Sequence, residues 1–191
     1  MAEKLIYPVT TGRSGTVFLT ELLRGHLDPS EAYVYHERLG YPNFGVHTPD
    51  ASHFTTFNAV GNVSLVQSFF REKLERDLSE EVPTYAEISH FLCKAGLVEN
   101  LSSIAGRAEI HLIALRRDPR KIAWSFVNRF DFYNSGFTWL FSLDPRYRNV
   151  IVSSEPFRAF GMIGSAVWYV AEMTARTAYY RALVSAECTV H

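Results

Sequence analysis

Cysteine is scarce in this chain. Among 191 residues only Cys93 and Cys188 carry a thiol, and they lie far apart in sequence. That excludes a disulfide framework or a cysteine-ligated metal centre and points to a reducing compartment. An excess of either charge is missing too. With 19 Lys and Arg against 20 Asp and Glu the net charge is −1, so the overall balance argues for neither nucleic acid nor an anionic membrane, and any anion site must be local. The most apolar run, residues 159–170, is interrupted by Gly161, Gly164 and Ser165 and closed by Glu172, too short for a membrane span. Residues 1–11 hold a single Lys4 and a short apolar run, which does not read as a secretory leader. His36, His47 and His53 lack ligand spacing and His90 and His111 stand alone, so no metal site is expected. What remains is a chain 47% hydrophobic and 20% charged, long enough for one well-buried domain over residues 1–191, expected to be cytoplasmic.

The most informative stretch is Leu5 to Leu23, LIYPVTTGRSGTVFLTELL. An apolar run meets a turn of small residues and then a leucine-rich helix. Gly12 and Gly15 allow a tight bend and close approach of a ligand to the backbone, Ser14 and Thr16 add hydroxyls, and Arg13 adds a cation. With a helix starting near Gly15, its unpaired N–H groups face the same spot, a geometry suited to phosphate or sulfate. The common phosphate-loop signature, Gly, four residues, then Gly-Lys-Ser/Thr, is absent.

Extended and helical patterns alternate along the rest of the chain, which predicts an α/β domain with a mainly parallel sheet flanked by helices. Residues 32–35 (AYVY) read as a second strand running into His36 and Glu37, and 84–88 (TYAEI) as a third, followed by Ser89 and His90. In such sheets ligands gather at the C-terminal strand ends. Ser89 and His90 read as a helix-capping serine and a buried histidine, or as residues facing an acceptor. Residues 40–62 show no clean period. Ser64 and Gln67 suggest a capping box for the next helix, and a further helix is expected through Leu92, Leu97, Val98 and Leu101. Residues 110–115 (IHLIAL) form the clearest strand, and Asp118 with Pro119 reads as the N-cap and first residue of a helix carrying Ile122, Phe126 and Phe130. The aromatic stretch 130–141, with Tyr133, Phe137 and Trp139, suits either an acceptor wall or core packing.

Arg117, a planar donor fork at a strand end, is followed two turns into the next helix by Ser125. The Gly-Arg-Ser-Gly-Thr order over 12–16, combined with this pair, resembles the sulfotransferases that use 3′-phosphoadenosine 5′-phosphosulfate as donor. The resemblance is strongest over residues 5–23 and 110–130 and fainter over 33–37 and 84–90. It implies a three-layer, phosphate-loop-like nucleotide-binding fold. It also implies that Gly12, Arg13, Ser14, Gly15, Thr16 and Val17 line the phosphosulfate, with Arg117 and Ser125 on the ribose 3′-phosphate. The implied reaction moves a sulfuryl group to a hydroxyl or amine of a small-molecule or carbohydrate acceptor without a metal. Arg13 would stabilise the departing phosphate, and Glu37, or else His36, would act as base. The family's late basic loop and late strand are not legible after Phe157, as expected of a shortened C-terminal part. Two alternatives stand beside this one: a kinase-like phosphotransferase with Asp118 holding magnesium, and a non-catalytic domain of the same fold.

Overall fold

The computed structural model describes residues 1–38, 52–132, 143–184 and 189–190. Strand β1 (Lys4–Val9) is followed by helix α1 (Thr16–His26) and strand β2 (Ala32–His36). Helices α2 (Ser52–Val60) and α3 (Ser64–Ser79) lead to β3 (Thr84–Ile88), and the short helices α4 (Leu92–Ala95) and α5 (Leu97–Asn100) to β4 (Glu109–Ala114). Helices α6 (Pro119–Asn128) and α7 (Gly161–Val184) precede the two residues of β5 (Thr189–Val190). The strands lie in the order β2-β3-β1-β4-β5, and each neighbouring pair is parallel. In register, Leu5 of β1 faces Tyr85 of β3 on one side and Ile110 of β4 on the other.

This is the expected α/β arrangement, a parallel sheet flanked by helices. On β3 four consecutive residues, Tyr85 to Ile88, are buried, so the strand is covered on both faces. The continuous core joins Leu5, Tyr7 and Val9 of β1 to Leu74 of α3, Leu97 of α5 and Tyr169 and Met173 of α7.

Some local expectations change. The late strand that the sequence does not show is present: Thr189 and Val190 pair with His111 and Leu112 as a fifth strand after the long helix. The capping box of Ser64 and Gln67 does not form. Ser64 is already the first helical residue, Val63 stands at the cap, and the Gln67 side-chain amide donates to the Asn62 carbonyl at 2.8 Å. The helix expected over 92–101 is broken at Gly96, whose φ of 110° is left-handed. A Cβ there would stand 2.9 Å from Phe57 and Val66, so the turn presses against α2 and α3 and only glycine fits. Helix α2 falls inside the 40–62 stretch that shows no period in sequence; the part over 39–51 lies outside the described residues, as do Tyr133, Phe137 and Trp139.

A buried ionic cluster ties the sheet to α3. Lys73, 2% exposed, donates to Asp77 at 2.5 Å and to Glu87 of β3 at 2.7 Å, while Tyr7 donates to Asp77 and Tyr85 to Glu87. The two carboxylates favour the charged form of the buried Lys73 ammonium, and removing that cation leaves two buried carboxylates without it. Lys73→Met is expected to cost about 3–5 kcal/mol in denaturant unfolding, whereas Lys4→Ala, which loses only an exposed contact to Glu109 at 3.9 Å, is expected to cost under about 1 kcal/mol.

Candidate functional site

The site forms where β1 turns into α1. Gly12, Arg13 and Gly15 all adopt positive φ, of 78°, 56° and 108°. Two of these three positions are glycines, which take the left-handed region without strain; Arg13 takes it at a cost of about 1–2 kcal/mol. The turn is pinned from several sides. Thr10 pairs its hydroxyl with that of Ser14, and Tyr169 of α7 donates its hydroxyl to the Thr11 carbonyl at 2.8 Å. A Cβ on Gly12 would come within 3.0 Å of the His90 ring, so glycine at this position lets the end of β3 close against the loop. Helix α1 then begins at Thr16 with no side chain capping its free N–H groups.

Because β1 lies between β3 and β4, the strand ends deliver different chemistry to the two sides of this loop. The connections after β1 and β4 run in opposite directions, and the crevice beside such a reversal is where open α/β sheets bind ligands. A cavity of about 530 Å³ occupies it, lined by Thr10, Thr11, Arg116, Arg117, Ile122 and Arg181 among others, with no carboxylate among the described residues of its wall. Arg117 donates to the Arg13 carbonyl at 2.8 Å, and the Arg13 guanidinium reaches Ser125 Oγ at 3.1 Å. Arg13, Arg117 and Ser125, assigned from sequence to two separate anions, therefore share one cluster. Asp118 caps α6, accepting from the Arg120 N–H at 2.8 Å, as expected. Val17 is exposed, and Ser14 is buried against Thr10.

On the other side, β2 and β3 bring together His36, Glu37 and His90. His36 Nε2 lies 3.2 Å from the Thr16 hydroxyl and 4.0 Å from Glu37 Oε1, and His90 Nε2 lies 3.3 Å from that same oxygen. Glu37 has a φ of 51°, left-handed backbone immediately after the last residue of β2. Burial pushes its carboxyl above the usual range, while His36 and Lys94 pull it down. His90 is held well below the ordinary imidazole value by burial first and then by Lys94, His36 and Arg13. Ser89 does not cap the next helix as expected: Phe91 stands at the cap of α4 with no side chain capping it, and Ser89 accepts from the Phe91 N–H at 3.2 Å in the turn before it.

Lys94 and Tyr169 belong to the same constellation and carry no motif. Lys94 Nζ lies 2.8 Å from His90 Nδ1 and donates to Tyr169 at 2.6 Å. The available signal was a lone cation in the apolar stretch FLCKAGLV, one helical turn after His90. Tyr169 sits in the middle of α7, and no local pattern separates it from a core aromatic. Among the described residues no group of His, Cys, Asp and Glu could hold a metal ion, and no helix is long and apolar enough to cross a membrane.

Burial pulls the Lys94 ammonium from an ordinary 10.5 down to about 7. Below about 7 both folded and unfolded chains hold the proton; between about 7 and 10.5 only the unfolded chain does, so stability rises with pH across that window. The slope attributable to Lys94 is at most about 1.4 kcal/mol per pH unit. Denaturant titrations of wild type and Lys94→Met across the window are expected to show their stability difference moving in favour of wild type as pH rises; parallel pH dependences would contradict the shift.

With this geometry in hand, the chain was compared with models of known protein families, with curated proteins and with solved structures, and none of them matches it.

Proposed function

We propose that the chain is a sulfotransferase that moves a sulfuryl group from 3′-phosphoadenosine 5′-phosphosulfate to a hydroxyl or amine acceptor. The observation that carries this reading is the division of the loop's surroundings. An arginine-lined cavity lies on the β4 side and a carboxylate with two imidazoles on the β2 side, with the free N–H groups of α1 between them. A two-ended anionic donor asks for cations on one side of the transferred group and a base on the other. Arg117, Arg13 and Ser125 would hold the donor's phosphates, and Arg13 would carry charge that develops on the departing one. Glu37 would take the acceptor's proton. Its environment supports that role, since burial raises its basicity while His36 and Lys94 keep it ionised. Most of the rate would come from alignment and charge stabilisation, as in phosphoryl transfer.

A kinase-like reading has less support. The loop has no lysine before Thr16, and Asp118 is engaged by the Arg120 N–H and guanidinium at the start of α6. The non-catalytic reading is separated from the enzymatic one by turnover.

Calorimetry without magnesium, comparing adenosine 3′,5′-bisphosphate with AMP and ATP, is expected to show preference for the bisphosphate and a roughly 10- to 100-fold loss in Arg117→Ala. Equal or absent binding of the three nucleotides would sink the assignment. Glu37→Gln is expected to keep bisphosphate affinity and lower turnover by roughly 10²- to 10⁴-fold on any acceptor that wild type accepts; near wild-type turnover would remove Glu37 as the base.

A further inference from the structure

Beyond the residues assigned above, the hydrogen-bond polarity around His90 is fixed from one backbone atom. The Tyr169 hydroxyl has a single proton, and it goes to the Thr11 carbonyl at 2.8 Å. Tyr169 therefore accepts from Lys94 at 2.6 Å. Below about pH 7 Lys94 is an ammonium, with three donors and no lone pair, so there it also donates to whatever else it touches. Its contact with His90 Nδ1 at 2.8 Å makes that nitrogen an acceptor. A neutral imidazole whose Nδ1 accepts carries its proton on Nε2. That nitrogen faces Glu37 Oε1 at 3.3 Å. Donation runs outward from Lys94 of α4, through Tyr169 of α7 to Thr11 in the loop on one side, and through His90 after β3 toward Glu37 after β2 on the other.

We propose that Lys94 is a positioning residue that locks His90 as the Nε2–H tautomer, so that the imidazole presents its proton to Glu37 and fixes where that carboxylate sits. This deepens the reading of Glu37 as a base and rests on it for its catalytic meaning, although the lock itself is a property of the folded chain. It also assigns the two histidines different work. Burial first, and then the neighbouring Lys94, His36 and Arg13, disfavour a second proton on the His90 ring, whose Nε2 lies 3.3 Å from Glu37 Oε1. It is therefore a neutral donor. His36 instead lies beside the Thr16 hydroxyl at 3.2 Å and is nearer solvent, its side chain 29% exposed against 20% for His90.

The test is a two-bond proton–nitrogen NMR correlation of the histidine rings in slightly acid solution, with a carbon-detected titration of the Glu37 carboxyl, on wild type, Lys94→Met and Tyr169→Phe. The expected wild-type result is an unprotonated, hydrogen-bonded Nδ1 and a protonated Nε2 for His90. In Lys94→Met both tautomers should be populated, and the Glu37 midpoint should move to higher pH by roughly one unit, because a donated proton and a nearby cation are both lost. Tyr169→Phe, which leaves Lys94 in place, should keep the wild-type tautomer. A protonated Nδ1 in wild type would overturn the lock outright, and that measurement decides even if Lys94→Met does not fold. A folded Lys94→Met with unchanged tautomer and unchanged Glu37 midpoint would overturn it as well. None of these readouts involves donor or acceptor, so the lock can hold while the sulfotransferase reading fails in the bisphosphate titration, and the reverse.

Discussion

The arrangement depends on how the backbone leaves β1. A central strand must hand the chain to a helix within a few residues, and here it does so with left-handed backbone at Gly12, Arg13 and Gly15. A turn bent this sharply satisfies only part of itself, with Thr10 paired to Ser14 and the Thr11 hydroxyl donating to the Gly12 carbonyl, and the Thr11 and Arg13 carbonyls are met from outside by Tyr169 and Arg117. These two outside partners come from distant parts of the chain. The absence of a Cβ at Gly12 lets His90 pack directly on the turn, bringing the end of β3 against it. The loop is thus a junction onto which β3, β4 and α7 are all fitted, and its shape sets the positions of the charged groups around it.

Buried charge is used in two different ways. The cluster of Lys73 with Asp77 and Glu87 is closed, with each ion answered by a counter-ion or a phenol, and it lies on the α3 side of the sheet where it joins secondary elements. Glu172 and Arg176 do the same within α7, where Glu172 accepts the N–H groups of Ile151 and Val152 and so ties the segment before α7 to that helix. Lys94 differs. Its described contacts include an imidazole and a phenol, and burial makes it hold its proton weakly. Burial of this kind is the setting in which side chains acquire unusual proton affinities, and it occurs here beside the loop.

Legibility in the sequence followed the range of the interaction involved. Strands 84–88 and 110–114, the strand–turn–helix at 5–23 and the cap at Asp118 with Pro119 could be read because apolar periodicity, small residues at a turn and capping chemistry act within a few residues. The failures have the same explanation. Ser64 and Gln67 have capping-box spacing, yet the helix starts at Ser64 and Gln67 finds the Asn62 carbonyl instead. The helix through 92–101 has an apolar pattern but contains Gly96, which yields to packing against Phe57 and Val66. The fifth strand is two residues long, and its only support is the neighbouring β4.

The same distinction holds at the site. Residue type and spacing along the chain by themselves determined that a glycine-containing turn follows β1, that Arg117 stands just after β4 and that His36 and Glu37 stand at the end of β2, because each is a local property of a strand and the residues that end it. Only the tertiary structure decided that Arg13 leans on Ser125, that His90 closes against Gly12 and Glu37, and that Lys94 and Tyr169 join them. Those contacts link residues from 4 to 158 positions apart. They exist because the order β2-β3-β1-β4 sets side by side strand ends that are distant along the chain, and no local pattern records which strands become neighbours.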